Sequence, residues 1–322
     1  MSEPHPESRL AHFPVAFFAM VMGLTGLAIA WRKAEVDFDL PWSVSVGLVA
    51  VAATVFAVLS ILFIAKLILH PAAVRGELAH PVQLNFFPTI SISLILLGIA
   101  MLPHQPLTAE VLWLLGAGLH LIFTLYVLGV WIHQDRFEIH HINPAWFIPV
   151  VGNVLVPIAG VPLGFAEPSW LFFSIGILFW LVLFTIIFYR VLFHHPLPER
   201  LMPTFFILIA PPAVGFIAYT QLTDSLDPFA RLLYYSGLFL TLLLATQIRR
   251  FVRLPFFLSW WAYSFPLAAI TIATLTMYTQ TGAVAFVALG WLLLALVSLV
   301  VAYLSLRTVL AVVRRQVCVP AA

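Results

Sequence analysis

Apolar stretches follow one another along almost the whole chain, each close to the ~20 residues that a helix needs to cross a bilayer. Ten of them are predicted to be helices: 13–31, 42–69, 84–102, 110–132, 146–165, 170–193, 202–219, 229–248, 257–278 and 283–310. Short connections between them favour antiparallel neighbours. The odd and even stretches differ in texture. Interior prolines are Pro14, Pro88, Pro149, Pro157, Pro162, Pro203, Pro211, Pro212 and Pro266, and all of them fall in odd stretches. Four odd stretches open alike, with His-Phe-Pro at 12–14, Phe-Phe-Pro at 86–88, Phe-Ile-Pro at 147–149 and Ser-Phe-Pro at 264–266. Odd stretches also hold small and polar residues such as Gly23, Thr25, Gly26, Ser91, Ser93, Gly152, Asn153 and Gly215, whereas 171–193 is mostly Leu, Ile, Phe and Val. Proline frees backbone carbonyls, which protein or water must satisfy because lipid does not. The pattern predicts five helical hairpins. One kinked helix of each faces a central axis, and its smooth partner faces lipid or a neighbouring subunit.

Composition agrees. The chain is 63% hydrophobic and 9% charged, with a mean hydropathy of +1.07, against about 25% charged residues in soluble domains. The first twelve residues have no short apolar core with a small-residue cleavage site, so no removable signal peptide is predicted. Of the fifteen Lys and Arg, twelve fall on the side of the two termini and three on the other. Both termini, about 1–12 and 311–322, are therefore expected to be cytoplasmic. A net charge of +2 does not suggest nucleic acid, and the single cysteine, Cys318, excludes an intramolecular disulfide framework.

Candidate chemistry is sparse. No Asp, Glu, Lys or Arg lies in the middle of a stretch, with Lys66 and Glu110 at the ends; this argues for passive conduction over a proton-driven mechanism. His120 is the one histidine inside a stretch, and a lone imidazole is a packing group before it is a ligand. His133, His140, His141, His194 and His195 fall on loops, where histidines are ordinarily solvated. No nucleotide loop, nucleophile elbow or metalloprotease motif is present, and no enzyme activity is expected. Asn153 is the one amide deep in a stretch. Burying it without partners costs ~2–7 kcal/mol, so it either hydrogen-bonds kinked backbone or faces water in a pore. The ninth stretch carries hydroxyls at Ser264, Thr271, Thr274 and Thr276, a proline at 266 and a bulky ring, Phe265, directly before it. Phe265 reads either as a packing ring on a buried helix or as a ring in a lumen.

Four motifs carry a resemblance: Phe-Ala-Met-Val-Met-Gly-Leu at 18–24, His-Pro-Val-Gln-Leu-Asn-Phe-Phe at 80–87, Asn-Pro-Ala-Trp-Phe-Ile-Pro-Val-Val-Gly-Asn at 143–153 and Trp-Trp-Ala-Tyr-Ser-Phe-Pro at 260–266. In this order, across almost the whole chain, they resemble the tellurite-resistance/dicarboxylate transporter family, which includes the plant slow-type anion channels and bacterial tellurite-resistance channel proteins. The resemblance implies a homotrimer with a pore in each subunit. It also implies ten helices in five hairpins with quasi-five-fold symmetry, the odd helices lining the pore, and a phenylalanine of the ninth helix that occludes it. By motif that residue is Phe265. Two positions depart from the bacterial pattern, which tends to place glycine where this chain has Pro266 and Ala19; Pro266 is closer to the plant pattern. With termini this short, the phosphorylation-driven opening of the plant channels is not expected.

The chain is thus expected to be an all-α integral membrane protein, one transmembrane channel domain over 1–322, in the inner (plasma) membrane. Its expected function is a gated channel for small monovalent anions such as chloride or nitrate, with Phe265 as the plug. The pore-lining or gate-supporting set is Phe18, Ala19, Gly23, Phe87, Ser91, Asn153, Ser264, Pro266 and Thr271, giving an uncharged lumen of hydroxyls and helix backbone. Expected partners are small inorganic anions, the lipid bilayer and further copies of the chain, without nucleic acid, metal or cofactor. The rival expectations are a secondary carrier of dicarboxylate, sulfite or tellurite-type oxyanions, and a sensor or scaffold that conducts nothing.

Overall fold

The computed structural model describes residues 8–319, and helices joined by turns and short loops account for them, with no strand among the described residues. The chain forms α1 (Val15–Asp37), α2 (Val44–Leu69), α3 (Gln83–Met101), α4 (Pro106–His133), α5 (Pro144–Gly160), α6 (Ala166–Phe193), α7 (Glu199–Thr223), α8 (Pro228–Ala245), α9 (Leu258–Thr281) and α10 (Val284–Val313). Among the described residues, nine of these are long and apolar enough to cross a membrane; α5 is shorter. The fifth stretch, expected at 146–165, is the apolar helix Pro144–Gly160, broken in its middle. Its 3₁₀ turn at Gly152–Leu155 lies between Pro149 and Pro157, each of which removes a helix donor. The outer parts of both short termini, 1–7 and 320–322, lie outside the described residues.

The sequence difference between odd and even stretches becomes a difference in backbone. Every odd helix begins in tight 3₁₀ turns, at Val15–Phe18, Gln83–Phe86, Pro144–Trp146, Glu199–Ile209 and Leu258–Tyr263. A proline stands within a few residues of each, and the tighter bonding re-satisfies carbonyls that an ordinary helix would have paired. The even helices run as uninterrupted α-helix.

Packing follows the same division. Each odd helix packs against the next odd one, α1 on α3, α3 on α5, α5 on α7 and α7 on α9, and α9 closes the ring on α1. Each even helix lies outside, against its own hairpin partner. Burial gives the contrast in numbers: 61% to 78% of the apolar window is buried in α1, α3, α7 and α9, but only 11% to 33% in the even helices. With lipid outside, the ring is held by close backbone approach and hydrogen bonds more than by amphipathicity. At Gly23, α1 comes so near α9 that a β-carbon there would overlap the Ser264 side chain.

Candidate functional site

Two cavities lie along the inside of the ring. The larger, of about 400 Å³, sits toward the beginnings of the odd helices, on the side of the termini. The smaller, of about 50 Å³, lies deeper. Both are lined by residues of all five odd helices and by none of the even helices. Met22, Ile148, Ile207, Ala210 and Phe265 border both, so they form the constriction between them. Phe265 is the one aromatic ring of this set, and it is 9% exposed.

Local structure explains how the ring is seated. Ser264–Phe265–Pro266 falls where the 3₁₀ turns of Leu258–Tyr263 pass into the α-helical part of α9. Across from it, Gly26 leaves room: a β-carbon there would lie 3.1 Å from Phe265 Cδ2. Met22 and Ala19 line the cavities one and two turns before Gly26 on the same face of α1, at the i, i+3, i+7 spacing of a helix side. Ile207, Ala210, Pro211 and Val214 supply the corresponding stripe of α7.

The lining is almost entirely apolar. The deeper cavity has no charged side chain, and Arg200 is the one charged residue on the larger. Near that mouth the imidazole of His80 is held below its ordinary range by burial and then by the positive charges of Arg200 and Arg136.

The model of a family described as voltage-dependent anion channel (SLAC1) matches residues 12–309. The chain belongs to this voltage-dependent anion channel family. Among its relatives, the S-type anion channel SLAH2 of Arabidopsis thaliana is 32% identical over 318 residues, 95% of this chain and 61% of that protein. The tellurite resistance protein TehA homolog of Haemophilus influenzae is 29% identical over 272 residues, 82% of this chain and 81% of that one. The uncharacterized transporter MJ0762 of Methanocaldococcus jannaschii is 27% identical over 300 residues, 86% of this chain and 88% of that one. The chain spans only 61% of SLAH2 and 48% of the related SLAH3. The protein is thus a multi-pass membrane protein of an anion channel family.

The residues expected from the sequence now separate into groups. Phe265, Ala19 and Pro266 border the larger cavity. Gly23 and Ser264 meet each other in the α1–α9 contact instead. Phe18 and Phe87 point away from both cavities: Phe18 packs edge-on against Phe56 and Phe63 of α2, and Phe87 against Phe63 and Phe123 of α4. Ser91 faces α4, where its Oγ lies 2.9 Å from His120 Nδ1 and donates to Pro88 O. Asn153 also faces α4 and donates to Thr124 Oγ1 at 2.9 Å and to Val150 O at 2.7 Å. Thr271 is buried and donates to Leu267 O.

The expected hydroxyl-lined lumen is corrected accordingly. The hydroxyls of Ser91, Ser264 and Thr271 and the Asn153 side-chain nitrogen bond the kinked backbone and the hairpin seams. Asn153 Oδ1 has no hydrogen-bond partner among the described residues. Apart from Thr89, Arg200, Thr204 and Ser259, the cavities near Phe265 are lined by apolar side chains. Met22, Ile148, Ile207 and Ala210 were the constriction residues that the sequence did not single out. Helical spacing joins them, but so does every other face of an apolar helix. Among the described residues, no three of His, Cys, Asp and Glu gather into a metal site.

Proposed function

We propose that the protein is a gated anion channel in which each subunit carries its own pore along the axis of the odd helices, with Phe265 as the gate. The observation that carries this reading is the position of one aromatic ring between two cavities that share five helices. Membership in an anion channel family supports the substrate class. The larger cavity leaves space into which the ring can swing, which a gate needs and a packing ring does not. In the open state small monovalent anions such as chloride or nitrate pass. No fixed charge in the constriction binds them, so selectivity follows ease of dehydration and favours nitrate over chloride. The working assembly is a homotrimer in the inner (plasma) membrane with both termini cytoplasmic, an orientation supported by the distribution of Lys and Arg.

The names of two relatives, a transporter and a tellurite resistance protein, keep a secondary carrier of dicarboxylate, sulfite or tellurite-type oxyanions as the second reading. Anion flux into liposomes holding the purified protein separates the two. A channel gives a quiet parent and a Phe265→Ala variant whose flux rises about tenfold or more, a loss of about 1.4 kcal/mol of barrier, without saturation. A carrier gives saturable flux and counterflow in both proteins.

A further inference from the structure

A second site lies on the outside of the molecule, behind the helix that carries Phe265. Between α8 and α10 a crevice of about 520 Å³ opens outward, within the ~300–1,000 Å³ of ordinary ligand sites. Its floor is Trp260, Tyr263 and Leu267 of α9, and its walls include Ala245, Val300 and Tyr303. The surfaces on either side are membrane-facing: Leu242 is 59% exposed and Leu299 71%. The lining is mostly apolar, so where the crevice opens onto hydrocarbon it is filled by acyl chain, and the Trp260 indole N–H and Tyr263 hydroxyl on its floor have no hydrogen-bond partner among the described residues.

The end of the crevice nearest the termini carries the specificity. Arg307 stacks on the rings of Phe256 and Tyr303, at 5.0 and 5.6 Å, and donates to Tyr303 Oη at 2.6 Å. No carboxylate among the described residues pairs with it. Ile248 and Val252 line the same end, with Arg249, Arg250 and Arg253 interleaved and exposed. From Pro228 to the end of the sequence there are seven arginines and no Asp or Glu. A basic cluster at the edge of the bilayer, unneutralised by protein, recruits anionic headgroups.

We infer that this crevice is a binding site for an anionic phospholipid of the leaflet on the side of the termini, one acyl chain lying on Trp260, Tyr263 and Leu267 and the phosphate on Arg307. The inference does not depend on what the axial pore conducts. A bound chain lies on the face of α9 opposite Phe265 and so stiffens the helix that carries it.

Native mass spectrometry of the full-length protein tests the site, with dioleoyl phosphatidylglycerol or dioleoyl phosphatidylcholine added. The parent is expected to retain phosphatidylglycerol about fivefold more tightly, the weight of one arginine near the membrane surface. Arg307→Gln should remove that preference, and Ala245→Trp, at an exposed wall position, should displace the bound lipid of either kind. Equal retention of both lipids by parent and variants would overturn the inference. So would loss of an oligomer in Ala245→Trp without any change in lipid retention, which would assign the crevice to a second copy of the chain.

Discussion

The inner and outer helices of this protein do different work, and the outer ones are mostly the more apolar: α2 has a mean hydropathy of 2.8 and α9 of 1.3. α2 is smooth, continuous and only 11% buried over its apolar window; α9 begins in 3₁₀ turns, carries a proline and is 78% buried. In water the buried class would be the more apolar one. In a bilayer the surroundings are as greasy as the core, so the difference moves to backbone and small polar groups. The inner helices spend their hydroxyls on their own carbonyls: Ser93 on Thr89 O, Thr271 on Leu267 O and Thr274 on Ile270 O. A polar residue in such a helix marks where the backbone needs a partner before it marks where water runs.

That contrast can be broken by substitution. Ile270 on α9 is fully buried and Ile61 on α2 is 67% exposed. Ile270→Ala is expected to cost about 2–5 kcal/mol, while Ile61→Ala should stay within about 0.5 kcal/mol of the parent; thermal unfolding in detergent compares them. Equal losses would mean that α2 is as well packed as the ring. Asn153→Ala sharpens the account of the polar groups. It strips donors from Thr124 and from the Val150 carbonyl, at a cost of about 1–3 kcal/mol, and should leave anion selectivity unchanged. A changed selectivity would place the amide in the lumen.

The smallest effect lies at the rim, outside the spans. The Tyr219 hydroxyl, at 2.6 Å, and the Ala230 amide, at 2.9 Å, hold the Asp227 carboxyl below the usual carboxylate range. A depressed folded value means stability that is present above the unfolded pKa, near about 4, and lost as the pH falls through the folded one. Asp227→Asn should therefore melt slightly below the parent at neutral pH, and the gap should close in acid. A gap that does not change with pH would show that the ionised form is not what the two donors stabilise.

Much of the architecture was legible in the sequence because prolines cannot hide. Pro14, Pro88, Pro149, Pro203 and Pro266 sort the inner helices from the outer ones before any contact is known. The break in α5 was visible too, in Pro149, Gly152 and Pro157, but hydropathy measures length and not continuity, so it was read as a full span. The constriction was less legible. Met22, Ile148 and Ile207 are apolar residues on helices that are apolar all round, and no periodicity separates a lumen wall from a packing face. Phe18 and Phe87 were hard to place for the same reason: an aromatic beside a shared motif looks the same whether it turns toward the axis or into the hairpin seam. For Asn153 the sequence left kinked backbone and pore water both open, and the structure shows its side-chain nitrogen on Val150 O and Thr124 Oγ1, while Ser91 donates to Pro88 O.

The central claim is about position: one buried ring stands on the axis and another stands in a seam. Measuring chloride flux into liposomes for Phe265→Ala and Phe18→Ala side by side, at equal protein content, tests it most directly. The account predicts that Phe265→Ala conducts about tenfold or more above the parent, while Phe18→Ala conducts no more than the parent and melts earlier by the loss of a packed ring, about 3–5 kcal/mol. Equal flux from the two variants, or a silent Phe265→Ala, would contradict it.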